Sequence, residues 1–159
     1  MIELVNGLEH REEIRALFTE YTDMLVETDP TFARYLVLQS YDDELQHLEV
    51  KYGPPRGRLW LALVEGEAAG CIALHPLDDE RCELKRLYVK PRFRCRGLGR
   101  LLMETMIDAA RELGYRHVLL DTLPPLKAAI RLYREQGFYD IPCYNNSPME
   151  STYFLQYDL

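Results

Sequence analysis

The stretch from Lys85 to Arg100 holds the residues whose types and spacing could do chemistry. Lys85, Arg86, Lys90, Arg92, Arg94, Arg96 and Arg100 place seven of the chain's 19 basic residues there, with no acid among them. A basic run by itself is an ordinary solvated face. Here the arginines surround Gly97-Leu98-Gly99, and those glycines open a stretch in which Leu98, Leu101, Leu102, Thr105, Met106, Ala109 and Leu113 recur at helical spacing. A helix N-terminus carries unpaired N–H groups and partial positive charge, and glycines let a phosphate approach the main chain. The segment is therefore expected to bind a pyrophosphate. A dinucleotide does not fit well: the third glycine of GxGxxG would fall on Leu102, and seven residues separate Val89 from Gly97. The triphosphate signature GxxxxGK(S/T) is absent.

The chain around this segment has 159 residues, 47% hydrophobic and 28% charged, which suits one globular domain over residues 1–159. Its net charge is −7, so the residues outside the basic segment carry −14 once its seven positive charges are set aside. That balance argues against a nucleic-acid partner. The longest apolar run, residues 59–64, is too short to cross a bilayer, so no membrane association is expected. The start of the chain lacks the basic and apolar pattern of a signal peptide. Cys71, Cys82, Cys95 and Cys143 show no CxxC spacing and read as free thiols of a reducing, cytoplasmic compartment. His10, His47, His75 and His117 are scattered, so no metal site is expected.

The elements that must position the basic segment follow from periodicity. A short strand is expected at 2–5, a helix from 8 to 25, and a second, less regular helical stretch at 31–51. Gly53-Pro54-Pro55-Arg56-Gly57 breaks regular structure. Three strands follow at 59–65, 68–77 and 81–89, then a helix at 98–113, a buried strand at 118–120 and a helix ending at Gly137. Segments 138–141 and 153–157 close the chain as strands. This order is α+β rather than an alternating βαβ wheel. Strict alternation along 81–89 puts Glu83, Lys85, Leu87 and Val89 on one face and Cys82, Leu84, Arg86 and Tyr88 on the other.

Arg94-Cys95-Arg96-Gly97-Leu98-Gly99 fits the pattern (Q/R)-x-x-G-x-(G/A), and Leu132-Tyr133-Arg134-Glu135-Gln136-Gly137-Phe138 reads LYxxxGF at the end of a helix. In this order and spacing the chain resembles the GNAT family of N-acetyltransferases. The resemblance implies a mixed, mostly antiparallel sheet of six to seven strands, splayed between the fourth and fifth and flanked by about four helices. It implies acetyl-CoA as co-substrate and a primary amine, on a small molecule or peptide, as acceptor. The pantetheine arm would run along Leu87, Tyr88 and Val89, with the N–H of Val89 or a neighbour polarising the thioester carbonyl. The pyrophosphate would sit on Arg94, Cys95, Arg96, Gly97, Leu98, Gly99 and Arg100. One departure is Leu126, where many members carry an asparagine.

An amine of pKa ~10.4 is almost wholly protonated at neutral pH, so attack needs a base. By resemblance Glu83 is that base, and a structural ion pair with Lys85 or Arg86 is the plainer reading of the same residue. Tyr133 stands where the family places the proton donor to the departing thiolate, and it also falls in register with the apolar Leu126, Ala129 and Ile130. Cys95 reads as a bystander thiol in the loop. The acidic and aromatic stretch from Glu20 to Glu44 would favour a cationic acceptor if it lined the pocket, but a solvated helix face is the simpler expectation. The tail from Tyr139 to Tyr157, including Tyr144-Asn145-Asn146-Ser147-Pro148, would either close over the acceptor or form the edge of a homodimer. A non-catalytic acetyl-CoA sensor, or a transferase using another acyl-CoA, is the competing reading.

Overall fold

A computed structural model describes residues 1–145, 147 and 151–159. Asn146 and Pro148 of the aromatic tail lie outside the described residues. Seven strands form one sheet in the order β1-β2-β3-β4-β5-β7-β6: β1 (Ile2–Asn6), β2 (Arg58–Val64), β3 (Glu67–Pro76), β4 (Arg81–Val89), β5 (His117–Thr122), β6 (Tyr139–Asp140) and β7 (Tyr153–Asp158). Only β4 and β5 are parallel neighbours. The β2–β3 turn, Glu65-Gly66, has positive φ at both residues (51° and 81°), as a tight hairpin between twisted strands requires.

Six α-helices cover the sheet among the described residues: α1 (Arg11–Thr28), α2 (Phe32–Leu38), α3 (Tyr41–Gln46), α4 (Leu48–Tyr52), α5 (Leu98–Glu112) and α6 (Lys127–Gln136). The helical stretch expected at 31–51 is three helices because Ser40 takes a left-handed conformation (φ 55°) and His47 leaves the helical region (φ −132°, ψ 60°). On one face Leu102, Met103 and Met106 of α5 join Tyr133 of α6 in a core with Ile72, Leu84 and Val118. On the other face Ile14, Leu17 and Phe18 of α1 pack with Leu48 and Tyr52 of α4 over Leu61, Ala73 and Tyr88.

Strand β4 does not alternate strictly. Cys71 pairs with Tyr88 and Ala73 with Lys85, so one extra residue is accommodated in β4. The positive φ of Arg86 (59°) marks the bulge. Leu87 and Val89 therefore pack with the α5 core, together with Cys82 and Leu84, while Tyr88 joins the α1 core. This corrects the alternation expected from the sequence, in which Leu87 and Val89 shared a face with Glu83 and Lys85. A period-2 reading cannot register an inserted residue.

Left-handed backbone costs a residue with a Cβ about 1–2 kcal/mol, and a buried guanidinium costs more unless it is paired. Arg86 is paired bidentately: Nε donates to Glu44 Oε2 and Nη2 to Glu44 Oε1, both at 2.9 Å. Lys51 and the Tyr52 hydroxyl also donate to the Glu44 carboxylate (3.0 and 2.9 Å), and Arg86 Nη2 donates to Gln39 Oε1 at 2.9 Å. The network joins β4 to α2, α3 and α4. Burial alone would raise the Glu44 pKa, but Arg86, helped by Lys51 and Lys85, outweighs burial and holds it at about 2.

Two outcomes follow for Glu44. A carboxyl held low contributes stability at and above the ordinary carboxylate range and loses it as pH falls from about 4.5 towards 2. Glu44→Gln leaves Arg86 buried without its counter-charge and should cost about 3–5 kcal/mol. Denaturant unfolding at pH 7 and across pH 5 to 2 checks both: the variant should be less stable at pH 7 and flatter in acid.

Candidate active site

The parallel pairing of β4 with β5 covers only Arg81↔His117, Cys82↔Val118 and Glu83↔Leu119. Beyond it β4 runs on to Val89 and β5 to Thr122, and the two strands diverge into a wedge. A narrow cleft opens in this wedge, with a cavity volume of about 30 Å³. Leu84, Lys85, Arg86 and Leu87 line it from β4, and Asp121 and Thr122 from β5. Tyr21 and Leu25 of α1, Phe32 and Tyr35 of α2, and Tyr133 of α6 complete its walls.

The open edge of β4 offers main-chain donors to this wedge. Lys90 N–H donates to Ala69 O of β3 at 2.8 Å, so by antiparallel alternation the polar groups of Val89 turn away from β3, to the side on which β4 has no partner strand. Val89 O already accepts a 2.9 Å bond from Arg94 Nε.

The loop after β4 presents a second set of donors. Cys95 and Gly97 have positive φ (64° and 77°), and Gly97 caps α5. None of the N–H groups of residues 95–100 has an acceptor among the described residues, whereas Arg94 N–H bonds Pro91 O and Leu101 N–H bonds Gly97 O. A Cβ at Gly99 would meet only Leu132 Cδ2, at an ordinary 3.5 Å. Helix packing therefore does not demand this glycine, and what it leaves open is the approach to the amides. The basic segment is less basic outwardly than its count implies. Arg86 is turned into the core and Lys85 into the cleft. Lys90 pairs with Glu20, Arg92 with Glu67 and Arg100 with Glu135. Only Arg94 and Arg96 lack a carboxylate partner among the described residues.

Gly137 (φ 117°) ends α6 and accommodates bonds from its own N–H and that of Phe138 to Tyr133 O, which fixes the register of Tyr133. The Tyr133 ring is buried beside Phe138, and its hydroxyl has no hydrogen-bond partner among the described residues. Burial pushes the phenol well up, with Tyr21 and Asp121 adding to the shift, so the hydroxyl keeps its proton throughout the neutral range.

Glu83 is in a different position from Tyr133. It is 6% exposed and does not line the cleft. Its Oε2 accepts a 2.6 Å bond from the Tyr144 hydroxyl, and its Oε1 lies 3.9 Å from Lys85 Nζ. Of the two ion pairs weighed from the sequence, the one with Lys85 forms, loosely, and the one with Arg86 does not. The carboxylate that faces the cleft is Asp121. Its Oδ2 accepts from the Tyr35 hydroxyl and, at 2.7 Å, from Asn145 Nδ2. Its Oδ1 has no partner among the described residues. An isolated acid following the apolar run Val118-Leu119-Leu120 was the available sequence signal for it. The acidic residues between Glu20 and Glu44 do not line the cleft. Cys95 is exposed in the loop. No group of histidine, cysteine or acidic residues suited to a metal occurs among the described residues.

Residues 13–138 match the model of the acetyltransferase (GNAT) family. An uncharacterised N-acetyltransferase of Schizosaccharomyces pombe is 40% identical over 130 residues, covering 80% of each chain. Among solved structures, an acetyltransferase from Streptococcus agalactiae superposes with a TM-score of 0.80 at 23% identity, covering 99% of this chain and 98% of that one. A GNAT family acetyltransferase from Elizabethkingia anophelis, solved with acetyl-CoA bound, gives a TM-score of 0.56 at 25% identity, covering 65% and 77%.

The unpaired amides lead to a first test of the site. Gly97→Glu meets no neighbour within 4 Å of its Cβ, so the fold should survive the strain at this positive φ. The new carboxylate would lie among the free amides and repel a diphosphate. In thermal melts, coenzyme A should raise the Tm of the parent protein and leave that of Gly97→Glu unmoved.

Proposed function

Because this chain belongs to the GNAT acetyltransferase family, we propose that it transfers the acetyl group of acetyl-CoA directly to a primary amine within a ternary complex. The observation that carries this reading is the wedge itself: the unpaired edge of β4 runs on to Val89 beside a cleft whose wall includes Tyr133, its hydroxyl unpartnered among the described residues. The pyrophosphate rests on the amides of Cys95, Arg96, Gly97, Leu98, Gly99 and Arg100, in the loop that Arg94 opens, with the Arg96 guanidinium beside it. The pantetheine arm runs along Leu87, Tyr88 and Val89 as an added strand. That route carries the thioester into the wedge, where the Val89 N–H meets the charge that develops on its oxygen.

Holding thioester and amine together supplies much of the rate, because attack becomes effectively intramolecular. When the tetrahedral adduct collapses, the C–S bond electrons leave with sulfur and Tyr133 gives its proton to the thiolate. A thiol of pKa ~8.5 is already a fair leaving group, so this proton is worth about 10²-fold at most. Glu83 does not line the cleft and touches its wall through Lys85, so in this reading it is a positioning residue.

Tyr133→Phe keeps the ring and its packing and removes only the hydroxyl. It should lower kcat about 10- to 100-fold while the KM for acetyl-CoA stays within about twofold. The deficit should persist at alkaline pH, where the amine needs no base. An assay of thiol release across pH 7 to 10 measures this, and full activity of the variant would remove Tyr133 from the chemistry.

A further inference from the structure

The parallel register of β4 and β5 ends at Glu83↔Leu119. Two residues further along each strand stand Lys85 and Asp121, a cation and an anion on opposite sides of the wedge, both lining the cleft. They form no ion pair with each other. Lys85 Nζ donates to Gln39 Oε1 at 2.7 Å, its side chain is 9% exposed, and its nearest carboxylate is Glu83 at 3.9 Å. A buried ammonium so incompletely neutralised favours an incoming anion. Asp121 has one oxygen saturated by two donors, Tyr35 and Asn145, and the other unpartnered among the described residues. A third polar atom in the cleft wall, Thr152 Oγ1, is buried without a hydrogen bond, and it sits one residue beyond the Thr122↔Tyr153 pair. Leu25, Phe32 and Leu123 give the remaining wall an apolar surface.

We propose that the acceptor is an α-amino acid with an apolar side chain, held by its ammonium on Asp121 Oδ1 and by its carboxylate on Lys85. This rests on the acetyl-transfer reading and names its substrate class. The two charges match the two ends of a zwitterion, Thr152 Oγ1 supplies a further hydrogen bond, and the side chain packs on Leu25, Phe32 and Leu123. A polyamine is disfavoured, because its second charge would meet Lys85 and Arg86. The ammonium gives one proton to Asp121, which passes it to solvent. The freed lone pair forms the C–N bond to the thioester carbon, and the C–S bond breaks with its electrons going to sulfur. Sulfur takes the Tyr133 proton, and the second proton on the adduct nitrogen restores the phenol. One amide, one thiol and one released proton result.

The test compares L-leucine and L-phenylalanine with isopentylamine, phenethylamine and spermidine, reading thiol release from acetyl-CoA. The amino acids should exceed their decarboxylated counterparts in kcat/KM by roughly 10- to 100-fold, the value of one charge-assisted contact. Lys85→Met should collapse that ratio to within about threefold, mostly through the KM of the amino acids, and Asp121→Asn should lower kcat/KM for both classes. A preference for spermidine or for the decarboxylated amines overturns the inference while leaving acetyl transfer in place, as does a ratio unchanged in Lys85→Met. Should that variant lose its acetyl-CoA-induced rise in Tm, the ratio in the parent protein decides alone. Binding of acetyl-CoA with no thiol released to any of these amines overturns the inference, and the acetyl-transfer reading falls with it if lysine-containing peptides release none either.

Discussion

The paired charge of Arg86 and Glu44 is the constraint on which the rest of the structure depends. A left-handed arginine in the middle of a central strand is unfavourable in its backbone, and its guanidinium is unfavourable in the core. Both costs are offset only because Glu44 meets the guanidinium with two oxygens and three further residues complete the network. The bulge this permits has a chemical consequence. It turns Leu87 and Val89 towards the α5 core and leaves Lys85 in the wall of the cleft. The same network ties α2, α3 and α4 to β4, so α2, whose Phe32 and Tyr35 line the cleft, is anchored to the strand that lines its opposite wall.

The wedge follows from how little of β4 and β5 is paired. Three registered residues hold the two strands together, and beyond them each has a free edge. Free strand edges are normally a liability in water. Here the same edge borders a cleft, and the free amides of residues 95–100 follow it in the chain. Free main-chain donors therefore stand at the strand end and again at the helix start, a distribution suited to a long ligand with an acyl group at one end and a diphosphate at the other. Side-chain charge has a smaller part than the basic composition of the segment suggests, since most of those bases are already paired with carboxylates.

Local features were legible in the sequence. The glycines at 97 and 137 mark positions where only positive φ serves, and the helical spacing after Gly97 announces α5 and its N-terminus. The order of elements along the chain and the α+β class follow from periods of two and of three to four. What was not legible depends on contacts distant in sequence. The bulge at Arg86 needs Glu44, 42 residues away, and without it alternation assigns the wrong face to Leu87 and Val89. The setting of Asp121 in the cleft wall depends on Tyr35 and Asn145, separated by 110 residues and meeting only in the folded chain. The three short helices between residues 32 and 52 depend on the left-handed turn at Ser40, a residue that carries no such preference by itself.

The central claim is that two sets of unpaired main-chain donors, at Val89 and over residues 95–100, together receive acetyl-CoA. Residue-resolved amide hydrogen exchange, with and without acetyl-CoA, tests it most directly. Ligand should slow exchange at Val89 and through residues 95–100 together, while β1 and β2 stay as they were. Protection of the loop without Val89, or of neither, would contradict the claim.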